Sequence, residues 1–197
     1  MDMLAKKDLA WFKECLSNTA LVAKLKNTKL IISDVDGALT NATVYYTEEK
    51  EEGRFFSIQD GYAIKPALNA GLLIALMSGK DNKSTFVRGS KLGIPTDMMI
   101  AGMETKIKAV EHVQQLKNVG IEHTLMYGDD FMDADVKINN AVGLFVCPNN
   151  APFYLQGVAD VVVPREGGHH AFRLLLDLIL YVQGKHFAQS LIDHAIQ

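Results

Sequence analysis

The chain has 197 residues, 48% of them hydrophobic, which suffices to bury one sizeable core and leaves little for a second full domain. Twenty Lys and Arg stand against 23 Asp and Glu, for a net charge of −3, and no segment concentrates basic residues as a nucleic-acid footprint would. The opening run MDMLAKKDLAWFKECL carries charges through its apolar positions. The most apolar late stretch, AFRLLLDLILYV, contains Arg173 and Asp177 and falls short of the roughly 20 apolar residues that span a bilayer. Neither nucleic acid nor membrane is an expected partner. Cys15 and Cys147 show no CxxC spacing and predict reduced thiols in a cytoplasmic protein.

In chain order, an N-terminal helix is expected within residues 1–27, with Leu4, Trp11, Phe12, Leu16, Leu21, Val22 and Leu25 as its packing face. A strand follows at 29–34. Residues 43–58, TVYYTEEKEEGRFFSI, place β-branched and aromatic residues on both sides of a charged turn and predict a β-hairpin. Helical period then recurs at 61–69, 82–91, 105–118 and 132–140, and short apolar runs at 73–78, 124–129, 143–147 and 160–163. One or two helices close the chain from about 168 to 195. This alternation predicts an α/β fold with a mainly parallel sheet. No repeat, low-complexity tract or linker divides the chain, so one domain over 1–197 is expected.

Ligands of open parallel sheets bind beyond the carboxyl ends of the strands, so Asp34, Ser78 and Asp129 are expected to meet at one edge. In IISDVDGALT, Asp36 follows Asp34 by two residues and Gly37 permits a sharp turn. Two carboxylates this close repel one another, and a hard divalent cation relieves the repulsion. Magnesium suits one or two carboxylates with phosphate oxygens and water, and Asp129 in MYGDDFMDAD supplies a further carboxylate. Taken singly, DVDG reads equally well as a capped turn and GDD as a solvated loop. At matching strand ends, the two together point to a cation site.

DVDGALT resembles the first motif of the haloacid dehalogenase superfamily (DxDGxxT), SGK the second, Lys106 the third and GDDFMD the fourth. The segments LIISDVDGALT, FFSIQDGYAIK, LIALMSGK, LGI, TLMYGDD, ADVVVPREGG and LLLDLIL run in the order found in 3-deoxy-D-manno-octulosonate 8-phosphate (KDO 8-phosphate) phosphatases, over roughly residues 24–185. The resemblance implies a Rossmann-like three-layer sandwich with a hairpin protruding after the first strand. Only 41 residues separate Asp36 from Ser78, too few for a cap domain. It further implies a magnesium-dependent phosphatase of lipopolysaccharide synthesis acting on a small phosphate monoester.

On that resemblance Asp34 is the nucleophile, and Asp36 is the acid that protonates the departing oxygen and then the base that activates water. Magnesium is held by Asp34, the Asp36 backbone carbonyl and Asp129. Ser78, the Gly79 amide and Lys106 bind the phosphoryl oxygens. Asp130 and Asp133 orient metal-bound water from behind the metal ligands. Asp60, Lys80, His169 and His170 are candidate substrate contacts, with helix capping or a surface role as the alternative for the His pair. The second motif is usually followed by Arg where this chain has Lys80, ALTNA stands for VLTDG, and EGGHHA for GGRGA. These departures fall near the expected substrate opening.

In the resembling subfamily the hairpin assembles a homotetramer whose neighbouring subunit helps close the site. An aromatic hairpin can associate in this way or fold onto its own subunit. Two rival readings are a catalytically silent oligomerisation module and a phosphatase for a different small phosphate. A silent module has no need of the nucleophile, acid, lysine and metal carboxylate types, all four of which this chain retains.

Overall fold

The computed structural model describes residues 2–79, 83–102 and 104–197. Its first departure from expectation is at the N-terminus, where two helices, α1 (Met3–Ser17) and α2 (Thr19–Asn27), replace one. Asn18 between them is extended (φ −86°, ψ 94°), and its side chain accepts the Leu21 amide at 3.0 Å. That bond caps α2 and turns the chain. Trp11 buries its ring and donates from Nε1 to the Val162 carbonyl at 2.9 Å, which docks α1 on the sheet edge.

The remaining elements are β1 (Leu30–Asp34), β2 (Thr40–Tyr46), β3 (Glu52–Phe56), α3 (Ile58–Asn69), β4 (Leu73–Ser78), α4 (Lys83–Leu92), β5 (Met99–Ala101), α5 (Lys106–Lys117), β6 (Thr124–Tyr127), α6 (Phe131–Ile138), β7 (Leu144–Pro148), α7 (Phe153–Gln156), β8 (Val161–Val163), α8 (Ala171–Val182) and α9 (Gln189–Ile196). β2 and β3 pair as the expected hairpin, which begins at Thr40 rather than residue 43 and carries a register shift before Val44. Ala42, within that irregularity, has a positive φ of 59°. β5 was not anticipated, since three residues are too few to show a period.

Six strands form one parallel sheet in the order β5-β4-β1-β6-β7-β8. All five residues of β1 and of β7 are buried, which is why these strands are nearly continuous apolar runs and not alternating ones. α8 packs on α3 with α1 and α2 alongside, while α5 packs on α6. Six α8 side chains, from Phe172 to Leu180, are almost wholly inaccessible. This is the expected α/β sandwich without a cap: from Asp36 to Ser78 run only the hairpin, α3 and β4. Among the described residues no helix is long and apolar enough to cross a membrane.

The chain steps from β1 outward through β4 to β5, then returns to place β6 on the other side of β1. The β1–β6 boundary is thus the topological switch point, and the crevice above it is where a ligand fits.

Asp60 supports this frame from beneath. It is 2% exposed, and its oxygens accept the backbone amides of His170 at 3.2 Å and Arg173 at 2.8 Å, capping α8. Asp60→Ala leaves those amides unpaired and is expected to lower the unfolding free energy by about 2–3 kcal/mol. A urea melt checks this, and an unchanged midpoint contradicts the capping role.

Candidate active site

Register brings the polar strand ends together. Asp34 pairs with Met77, so Ser78 stands one residue further along β4, and Ser33 pairs with Tyr127, so Asp129 follows two residues beyond β6. After Asp34 the chain must turn without obstructing this edge. Gly37 does so with φ +97°, and a β-carbon there would collide with the Asp129 carboxylate. The Gly37 amide donates to Thr40 Oγ1 at 3.2 Å, closing the turn. Val35 and Ala38 are buried beneath it.

Lys106 is the first residue of α5, whose start is capped by the Thr105 hydroxyl. Its ammonium donates to Asp34 Oδ1 at 2.5 Å and also to Asp133 Oδ1. Asp133 is wholly buried, and its second oxygen accepts the amides of Asp129 and Asp130, each at 3.1 Å. With Asp130 it forms the capping box that starts α6. Asp133 therefore has both oxygens engaged within the protein, and it contacts Lys106 directly.

Burial, and next the negative charge of Asp133, push the Asp34 carboxyl well above the usual carboxylate range, with Lys106 opposing. Asp129 is raised to about 7 by burial first and then by Asp133. Burial lowers Lys106, but the attraction of Asp133 and Asp34 outweighs it, so the ammonium is held charged. Asp34, Asp129 and Asp133 each offer an oxygen, all within 4.8 Å of one another. Asp129 Oδ1 is buried with no hydrogen-bond partner. Hard oxygen donors packed this closely, one of them unsatisfied, fit a divalent cation.

A cavity of about 450 Å³ opens over these groups. Asp34, Asp36, Ser78, Gly79, Lys106, Asp129, Asp130 and Asp133 all line it. Asp60, His169 and His170 do not. Asp60 caps α8 as described, and the His170 amide is one of its donors, with His170 itself in a left-handed conformation (φ 74°). His169 is exposed away from the cavity. Lys80 lies outside the described residues.

The EGGHHA segment, expected near the opening, instead packs behind the first-motif turn. The Gly168 amide donates to the Ala38 carbonyl at 3.0 Å, and with φ +69° a β-carbon there would strike the backbone of Thr40 and Asn41. Sequence reasoning missed the hairpin wall, where Val44, Tyr46, Glu52 and Arg54 face the same cavity. The parity of β3, which puts Glu52 and Arg54 on one face, was the available signal.

No protein-family model matches the chain. It is 34% identical over 162 residues to the KDO 8-phosphate phosphatase of Haemophilus influenzae, spanning 82% of this chain and 88% of that one. The Escherichia coli K12 enzyme of the same name is 33% identical over 165 residues, spanning 84% and 86%. Among solved structures, the cobalt-bound H. influenzae phosphatase superposes with a TM-score of 0.78 at 32% identity, covering 87% of this chain and 99% of that one. The Moraxella catarrhalis phosphatase, in complex with magnesium, phosphate and KDO, gives 0.80 at 26% identity, covering 91% and 99%. The chain thus belongs to the KDO 8-phosphate phosphatase family of the haloacid dehalogenase superfamily, and it is a phosphomonoester hydrolase.

Proposed function

We propose that the chain hydrolyses a phosphorylated sugar acid, KDO 8-phosphate or a related ulosonic acid phosphate, through an aspartyl-phosphate on Asp34. The observation that carries this reading is the contact of Lys106 with Asp34 at 2.5 Å on the cavity wall, with the half-exposed Asp36 carboxyl two residues away. The relatives' names supply the sugar acid.

In the first step an Asp34 oxygen attacks phosphorus in line, and the bond to the sugar oxygen breaks as Asp36 delivers a proton to it. In the second, Asp36 takes a proton from water, whose oxygen displaces Asp34 and releases inorganic phosphate. Ser78 and the Gly79 amide hold the phosphoryl oxygens, and Lys106 offsets their charge while Asp133 fixes the ammonium in place. Asp34, the Asp36 backbone carbonyl and Asp129 would hold magnesium, consistent with the unsatisfied Asp129 oxygen, and Asp130 would orient water beside it. When bound, the cation screens the phosphate's charge from that of the nucleophile.

The outer surface of the hairpin, with Tyr45 44% and Phe55 61% exposed, supports assembly into a homotetramer. The two buried free thiols accord with a cytoplasmic address.

Asp34→Asn is nearly isosteric, so the variant should fold normally yet lose turnover of both sugar and aryl phosphates by roughly 1,000-fold or more. Steady-state kinetics beside a thermal melt checks this, and retained turnover in a folded variant removes the mechanism. A proton on Asp129 competes with a cation for the same oxygens, so magnesium affinity should fall as pH drops below about 7. Binding at neutral pH should also release protons. Calorimetry in buffers of differing ionisation heat reads both, and pH-independent binding without proton release contradicts the site.

A further inference from the structure

The acid/base carboxyl is only partly buried. Asp36 lies in the turn after β1, outside any regular element, and its side chain is 39% exposed, so packing alone does not fix its rotamer. What holds it comes from the hairpin. Arg54 donates through Nε to Asp36 Oδ1 and through Nη2 to Asp36 Oδ2 at 3.1 Å, a two-pronged contact that sets both the position and the rotation of the carboxylate plane.

Arg54 is itself anchored. Its side chain is 2% exposed, and Nη1 lies 2.8 Å from Glu52 Oε1, two residues back on the same face of β3. The other Glu52 oxygen accepts the Tyr46 hydroxyl at 2.8 Å from the opposing strand, where Tyr46 pairs with Glu52 in register. A connected row, Tyr46–Glu52–Arg54–Asp36, therefore runs from the hairpin to the reacting centre, and all four members line the cavity.

We propose that Arg54, braced by Glu52, is a positioning residue that aims the Asp36 carboxyl at the oxygen of the leaving group. This rests on the acid/base role given to Asp36 above, and it follows the general arrangement in which a base is oriented by a third group. It gives the hairpin a part in catalysis within its own subunit, distinct from any part in assembly.

The test separates leaving groups. A sugar alkoxide needs a proton to depart, whereas nitrophenolate departs without one. Arg54→Gln should therefore lower the rate at which KDO 8-phosphate phosphorylates Asp34, read in a rapid-quench single turnover, by about 10- to 100-fold, with KM changed less than about twofold. With nitrophenyl phosphate the fall in that same phosphorylation rate should stay within about threefold, since the later hydrolysis, where Asp36 is the base, is common to both substrates. Arg54→Lys keeps a buried cation without the fork, so it guards against a folding defect and should recover only part of the loss. In an Asp36→Ala background, Arg54→Gln should have no further effect, because the group it aims is gone.

Equal losses in phosphorylation rate on both substrates, full recovery by lysine, or additive losses in the double variant would overturn the proposal. If Asp36→Ala slows phosphorylation of Asp34 by both substrates equally, the acid role fails, and that outcome is distinct from a failure confined to Arg54.

Discussion

One buried ammonium holds the functional edge of this molecule together. Lys106 contacts Asp34 at the end of β1 and Asp133 at the start of α6, both more than nine-tenths buried. Carboxylates taken out of water are costly unless paired, and removing the cation from such a cluster typically costs about 3–5 kcal/mol because the remaining charges are stranded. Asp133 in turn receives the amides that begin α6, so the same contact sets where the GDD loop ends and where Asp129 stands. Asp34, the loop and the helix start are fixed by a single partner.

That cluster still carries more negative than positive charge, and the excess has a chemical use. Asp34 and Asp129 titrate high because burial, and next the negative charge of Asp133, disfavour ionisation, with Lys106 only partly offsetting this. A divalent cation held by Asp34 and Asp129 would supply the missing counter-charge and screen a phosphate ester from the Asp34 carboxylate. On the proposed mechanism such a site would relax on loading metal and substrate, an arrangement suited to phosphoryl transfer. The hairpin adds the remaining wall and, through Arg54, a fixed direction for Asp36.

Much of this was legible in the residues. β1 and β4 were expected almost to the residue because buried parallel strands are unbroken apolar runs, and the rule for strand ends then brought Asp34, Ser78 and Asp129 to one edge. What escaped depends on contacts distant in sequence. Asn18 sits in an amphipathic run and breaks it only because α2 turns to pack on α8. Asp60 resembled a substrate contact within a motif-like stretch, but its donors lie on α8, 110 residues or more away. Gly168 likewise answers to the backbone of Thr40, a closeness that no local pattern records. Arg54 faces Asp36 through the hairpin's parity, which its charged surroundings concealed.

The most direct test of the account is to find the phosphoryl group on the protein. Rapid mixing with substrate and magnesium, acid quenching and borohydride reduction convert an aspartyl-phosphate to homoserine, which peptide mass spectrometry locates. Homoserine at position 34, and at no other aspartate, is the predicted result. Homoserine at Asp36 or Asp129 in its place, or none during rapid turnover sampled within the first cycle, would contradict it.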